Sequence, residues 1–191
     1  MESGASEFDA MLDAARSGDE RAASRLFEAF NPRLLRFLRA FEPRVAEDLA
    51  GEVWLAIAKG LAAFEGGEGG FRAWSFSIAR RRIADHRRRG VRRATDPVDP
   101  EVVANHVDRL STEDPIGDLL DSWTAQDAIA QLTLHLSDDQ AEVVLLRILG
   151  DFSVDEVAAV MDRPASWVRV TQHRALRRLS QRLGSRFAVT E

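Results

Sequence analysis

The chain is predicted to be all-α: two small helical domains, an N-terminal bundle and a C-terminal helix-turn-helix unit, joined by an acidic flexible linker. Three observations carry that prediction. Apolar residues recur at three- and four-residue spacing at both ends of the chain, and no strand-like alternation lasts more than a few residues. Between those ends, residues 94–123 hold eight acids against Arg109 alone, together with Pro97, Pro100 and Pro115, and too few apolar residues for a core. A length of 191 residues, 45% of them hydrophobic and 30% charged, allows one ordinary soluble domain or two small ones. The expected units are residues 6–93, the linker 94–123, and residues 124–184.

In order, residues 6–16 form a short first helix. Ser17, Gly18 and Asp19 break it, and Asp19 is placed to cap a helix opening at Glu20. Leu26, Phe27, Phe30, Leu34, Leu35, Phe37, Leu38 and Phe41 give that helix a wide apolar stripe. Asn31 and Pro32 predict a kink or a one-turn break within it, and Pro43 closes it. Residues 45–64 form the next helix, with Leu49, Val53, Trp54, Ile57, Ala58 and Leu61 inward and Glu47, Asp48, Glu52 and Lys59 on the polar side. Residues 65–70, rich in glycine, read as a flexible loop.

Residues 71–93 follow with nine arginines and one acid, Asp85. Phe71, Trp74, Ile78 and Ile83 recur at helical spacing, so the arginines project from a helix with one buried side. Guanidinium groups suit phosphates, and rings near the start of the helix suit unstacked bases. A merely solvated amphipathic helix would mix both signs of charge, which this one does not. The whole-chain net charge of −5 hides the contrast, because the basic segment is followed at once by the acidic linker. Arginine supplies 25 of the 26 positive charges, a bias that GC-rich coding could equally explain.

Beyond the linker, where a short helix is expected near residues 116–120, residues 125–136 read as helical. Ser137 then caps a helix that reaches Leu149, with Gln140 completing a capping box. Ser153 and Glu156 repeat the pattern for a short helix ending at Met161. After a turn at Asp162, Arg163 and Pro164, a longer helix runs to Leu183 with Gly184 as its C-cap. A short helix, a tight turn and an arginine-rich helix outline a helix-turn-helix. Val168, Ala175, Leu176, Leu179 and Leu183 should pack inward. Ser166, Val170, His173 and Arg177, flanked by Arg169 and Arg174, then face away, where the early residues reach base edges and the later arginines hold phosphates.

Both halves resemble one family, the extracytoplasmic-function sigma factors of the sigma-70 family, small two-domain initiation subunits of bacterial RNA polymerase. The resemblance rests on Ala46, Glu47, Asp48 and Leu49 with Glu52, Val53 and Trp54; on Phe71, Arg72, Ala73 and Trp74 with Ile78, Ala79, Arg80 and Asp85; and on residues 142–147, on Phe152 and Ser153 with Glu156, Val157 and Ala158, and on residues 173–179. It implies a promoter-specific initiation factor that binds core polymerase, recognises the −35 and −10 elements and helps melt the promoter. Asp48, Leu49, Glu52 and Trp54 would contact the clamp of the large polymerase subunit. Phe71, Arg72, Trp74, Arg80, Arg81, His86 and Arg88 would serve the downstream element and melting, with Trp74 more often core than base platform. Arg163, Ser166, Arg169, Val170, His173, Arg174 and Arg177 would meet the upstream element. The acidic linker would occupy the polymerase channel for template and nascent RNA. Partners are then core RNA polymerase, promoter DNA and, for many members, an anti-sigma factor, which no residue here identifies. Gly51, Arg81, Ala141, Asp162 and Trp167 replace the family's usual glutamine, asparagine, arginine, glycine and threonine, and Trp167 keeps promoter sequence from being carried over.

The rival reading is an autonomous helix-turn-helix repressor or activator, for which residues 1–93 would be surplus. An enzyme is not expected: the four histidines lack metal-ligand spacing, and the glycine loop lacks the Lys-Ser/Thr ending of a phosphate-binding loop. No cofactor is expected. The absence of cysteine excludes disulfides and thiolate metal sites, and the first residues lack the basic and apolar regions of a signal peptide, so a cytoplasmic protein without membrane insertion is expected.

Overall fold

A computed structural model describes residues 3–95 and 134–187, with side chains for 7–91 and 134–181. Its helices are α1 (Ser3–Arg16), α2 (Glu20–Phe41), α3 (Ala46–Gly60) followed by a 3-10 turn (Leu61–Ala63), α4 (Glu68–Thr95), α5 (Asp138–Leu149), α6 (Val154–Met161) and α7 (Ala165–Phe187). The expected linker and the helix at 125–136 lie almost wholly outside the described residues.

Local chemistry starts and stops these helices. The Asp19 side chain accepts from the backbone N–H groups of Arg21 and Ala22 at 2.8 and 3.0 Å, so α2 begins where the sequence placed it. No break follows at Pro32: α2 continues as one helix through Phe41. Proline removes one backbone donor, and the burial of Leu26, Phe30, Leu34, Phe37 and Leu38 on either side of it outweighs that loss. Both capping boxes form: Ser137 with Gln140 on α5, and Ser153 with Glu156 on α6. The expected loop 65–70 is shorter than its glycines suggest, because Glu68, Gly69 and Gly70 already belong to α4. At the other end, α7 runs through Gly184 to Phe187, so Gly184 is not a C-cap.

Helices α1 to α4 pack round Phe8, Leu12, Phe30, Phe37, Val53, Phe71 and Phe76. Helices α5 to α7 bury Val143, Leu145, Leu146, Val157 and Val168. These are not two separate cores. Phe152, in the connection between α5 and α6, is fully buried and meets Phe76 of α4 edge-on, at 5.3 Å between centroids and 89° between planes. The two halves therefore share one continuous apolar interior.

Two glycines make close approaches possible. A Cβ on Gly60 would lie 2.7 Å from Trp74 Cζ2, and one on Gly150 would lie 2.3 Å from the Phe152 ring. Both seat an aromatic side chain against a helix end.

Candidate nucleic-acid interface

Helix α4 carries its arginines on more than one face, and the faces have different fates. Arg72, Phe76, Arg80, Ile83 and Arg87 fall within one arc of the helix at about 100° per residue. That arc faces α5 and α6. Arg80 is held there most completely: Nε and Nη2 donate to the two carboxylate oxygens of Glu142 at 2.7 and 2.9 Å, and Nη1 donates to the Val160 carbonyl at 2.8 Å. Arg87 donates to Glu42, just past the end of α2, and to Asp138 on α5, each at 2.6 Å. Burial opposes the Arg87 charge, but these two carboxylates outweigh it and raise its pKa above the usual guanidinium value. Arg72 lies over the Phe152 ring at 5.2 Å, with Glu156 3.6 Å away, and its Nε is buried without a hydrogen-bond partner.

Among the described side chains, the remaining arginines of α4 are open or face α3. Arg81 and Arg88 are exposed. Arg88 pairs with Asp85, whose carboxyl is held below its ordinary range chiefly by that hydrogen bond, with Arg82 and Arg89 adding to it. Arg82 and Arg89 approach Glu52 at 3.8 and 3.6 Å, and His86 Nε2 lies 4.0 Å from Glu42. Trp74 is half-buried and stacks on Phe64 at 4.9 Å and 21°, as a core residue would. Phe71 corrects the sequence reading. It is 0% exposed, packed among Phe8, Phe30, Phe64 and Trp74, and offers no face to a base.

On α7 the expected outward face is open. Arg163, Ser166, Arg169, Val170, His173, Arg174 and Arg177 are all exposed. Val168, Ala175 and Leu179 are buried beneath them, but Leu176 is 52% exposed, because it projects to the side of the inward stripe. Asp162 supplies the turn in the left-handed region, at φ 53° and ψ 50°, which its short polar side chain tolerates. Arg163 lies over the Trp167 ring at 5.4 Å, and Arg169 approaches Asp155 of α6 at 3.8 Å.

On α3, Asp48 is exposed and Glu52 half-exposed. Leu49 is 2% exposed and belongs to the core rather than to any contact surface. Trp54 is half-buried: its Nε1 donates to Asn31 at 2.9 Å and its ring meets Phe27 at 5.0 Å. Ala58 is exposed, not inward.

Sequence reasoning missed the partners of the basic helix: Glu142, Glu156, Asp138 and Phe152. One of the acids, Glu156, stands in the sequence as a helix-capping residue. Among the described residues no group of histidine and acidic side chains could hold a metal ion, and no helix is long and apolar enough to cross a membrane.

Residues 26–93 match the family model of sigma-70 region 2, and residues 126–179 match that of sigma-70 region 4. The chain is 30% identical over 179 residues to the ECF RNA polymerase sigma factor ShbA of Streptomyces griseus, covering 89% of this chain and 92% of that relative. It is also 30% identical over 175 residues to the ECF RNA polymerase sigma factor BldN of Streptomyces coelicolor, covering 91% of this chain but only 64% of that longer relative. In structure it is similar to the sigma factor RpoE of Bartonella quintana, solved with the anti-sigma factor NepR (TM-score 0.65, 22% identity, 84% of this chain and 96% of that one), which establishes the likeness of fold. The chain is thus an all-α, two-region sigma factor and not an enzyme. It belongs to the extracytoplasmic-function group of the sigma-70 family, the promoter-specific transcription initiation factors.

Proposed function

We propose that this chain recruits core RNA polymerase to its promoters through three surfaces. Asp48 and Glu52 on α3 dock on the clamp of the large polymerase subunit. Ser166, Arg169, Val170, His173, Arg174 and Arg177 on α7, with Arg163 at its start, read the upstream element in the major groove. Arg72, Arg80, Arg81, His86 and Arg88 on α4 hold the unwound strand of the downstream element, where separating the bases costs pairing and stacking that phosphate contacts offset. Leu49 and Phe71 support these surfaces from within, and Trp74 backs the start of α4. The working units are residues 6–93 and 124–184, and the acidic residues 94–123 occupy the basic channel for template and transcript.

The observation that carries this reading is the exposed face of α7 from Ser166 to Arg177, basic and free of acids, in the same chain as an arginine helix for which a simple repressor has no comparable role. A cytoplasmic location follows from the polymerase partner. An anti-sigma factor is a further proposed partner, by analogy with the Bartonella complex.

The test is run-off transcription by bacterial core polymerase on genomic fragments, including the region upstream of this protein's own coding sequence. Start sites that appear only when the protein is added are the expected outcome. Failure to bind core polymerase, together with a DNA footprint by the protein alone, would instead establish an autonomous repressor or activator.

A further inference from the structure

Helix α1 precedes residues 26–93, the stretch matched by the region 2 model, and its last residue, Arg16, reaches far along the chain. Its half-buried guanidinium donates from Nε to the Leu61 carbonyl at 3.3 Å and from Nη2 to the Phe64 carbonyl. These contacts span 45 and 48 residues, and they grip the chain where α3 and its 3-10 turn end. A helix end leaves carbonyls unpaired and carries negative partial charge, so a cation donating there is doubly favourable. Nη1 turns back to Asp13 at 2.8 Å, an exposed pair that adds little.

What Arg16 holds is the loop that leads into α4. The Phe64 ring stacks on Trp74 and meets Phe71 edge-on, at 5.7 Å between centroids and 85° between planes. It also fills the inside of the turn: a Cβ on Gly66 would lie 3.2 Å from Phe64 Cζ, and one on Gly70 3.6 Å. Gly66 itself sits at φ 143°, a conformation that a side chain would strain. Residues 65–68 nevertheless stay exposed. A glycine-rich, solvent-facing segment is thus pinned at Phe64 twice, its backbone by Arg16 and its ring by α4.

We propose that Arg16 is a positioning residue for the downstream element. By holding the Leu61 and Phe64 carbonyls it keeps residues 61–67 in one shape, and this fixed edge discriminates the base that the unwound strand brings to the start of α4. The inference rests on the assignment of α4 as the strand-binding helix. Without the two hydrogen bonds the glycines would let the loop sample many backbone states, and each binding event would have to order it again. A base is told from its rivals only by partners that do not rearrange to suit each one. The effect is local. Asp48 lies about 20 Å before Leu61 along α3, so the proposed clamp surface does not depend on Arg16.

The experiment compares the full chain with Arg16→Ala and with Arg16→Lys, which keeps the charge but loses the fork. Hydrogen exchange, read by mass spectrometry on peptides covering residues 61–71, should speed up about tenfold in Arg16→Ala, the scale of one lost charge-assisted hydrogen bond. Peptides from the first half of α3 should exchange as in the parent, and Arg16→Lys should fall between the two. Run-off transcription with core polymerase then uses the parent's start sites, with each base of the downstream element changed in turn. The ratio between the best and the worst base should shrink about tenfold in Arg16→Ala, the worth of one specific base contact. Core binding should not change, whereas a merely destabilised fold would weaken core binding and leave the ratio alone. Unchanged exchange over residues 61–71 would show that Arg16 does not hold the loop and would overturn the proposal. Faster exchange with an unaltered base ratio would also overturn it, leaving the initiation role intact. A parent that yields no start site with core polymerase would sink that role itself, and the proposal with it.

Discussion

The ring of Phe152 stands edge-on to Phe76 at 5.3 Å, and this contact joins the two halves of the chain into one interior. Phe76 sits one turn from both Arg72 and Arg80, so the apolar contact and the charge pairs around it form a single seam. The seam gives the chain a direct mechanical test.

Phe152→Ala should lower the unfolding free energy by about 3–5 kcal/mol, the usual cost of emptying a buried aromatic site. Urea unfolding followed by tryptophan fluorescence measures it. A loss below 1 kcal/mol would mean that the seam closes without this ring.

Neighbouring residues on α3 should behave oppositely. Asp48 is exposed, so Asp48→Ala should change stability by less than about 0.5 kcal/mol while weakening core polymerase binding. Leu49 is buried, so Leu49→Ala should cost about 2–5 kcal/mol. Denaturant melts paired with a core-binding titration check both halves of this prediction.

On α7, Arg174→Ala should weaken promoter binding by the polymerase holoenzyme to a similar degree on different upstream sequences. It should also reduce the slope of log affinity against log salt by about one, as the loss of one phosphate contact requires. Val170→Ala, lying earlier on the same exposed face, should instead change the ranking of upstream sequences.

Glu156 provides a pH test. Its carboxyl is held below the ordinary range, chiefly by the Ser153 backbone N–H and further by Arg72, against the opposing effect of burial. A depressed folded pKa means that the stabilisation is fully present above the unfolded value of about 4.3 and is lost as pH falls through the lower folded value. The stability gap between the parent and Glu156→Gln should therefore narrow as pH drops from 6 to 3. Thermal melts across that range would reveal a constant gap if the charge plays no part.

Gly60→Ala should cost about 1–3 kcal/mol, because the new Cβ would press on a rigid indole rather than on a flexible chain end. A near-ultraviolet circular dichroism change should accompany the loss, reporting a displaced Trp74.

Much of this protein could be read from short-range chemistry. Asp19, Ser137 and Ser153 cap helices with their own neighbours, and Asp162 turns the chain with its own backbone; such signals lie within a few residues and need no tertiary context. Helical periodicity likewise placed Ser166, Val170, His173 and Arg177 on one open face, because nothing else in the described fold packs there. The spacing of Phe71, Trp74, Ile78 and Ile83 gave α4 one buried side with its arginines projecting, but was silent on what stands opposite Arg72, Arg80 and Arg87. Only packing put Glu142, Glu156 and Asp138 there, sank Phe71 and Leu49 into the core, left Leu176 outside it, and carried α2 through Pro32. Those outcomes depend on elements distant in sequence competing for one surface. A residue's burial and its partners are properties of the assembled interior, whereas its cap, turn and helical face belong to its own stretch of chain.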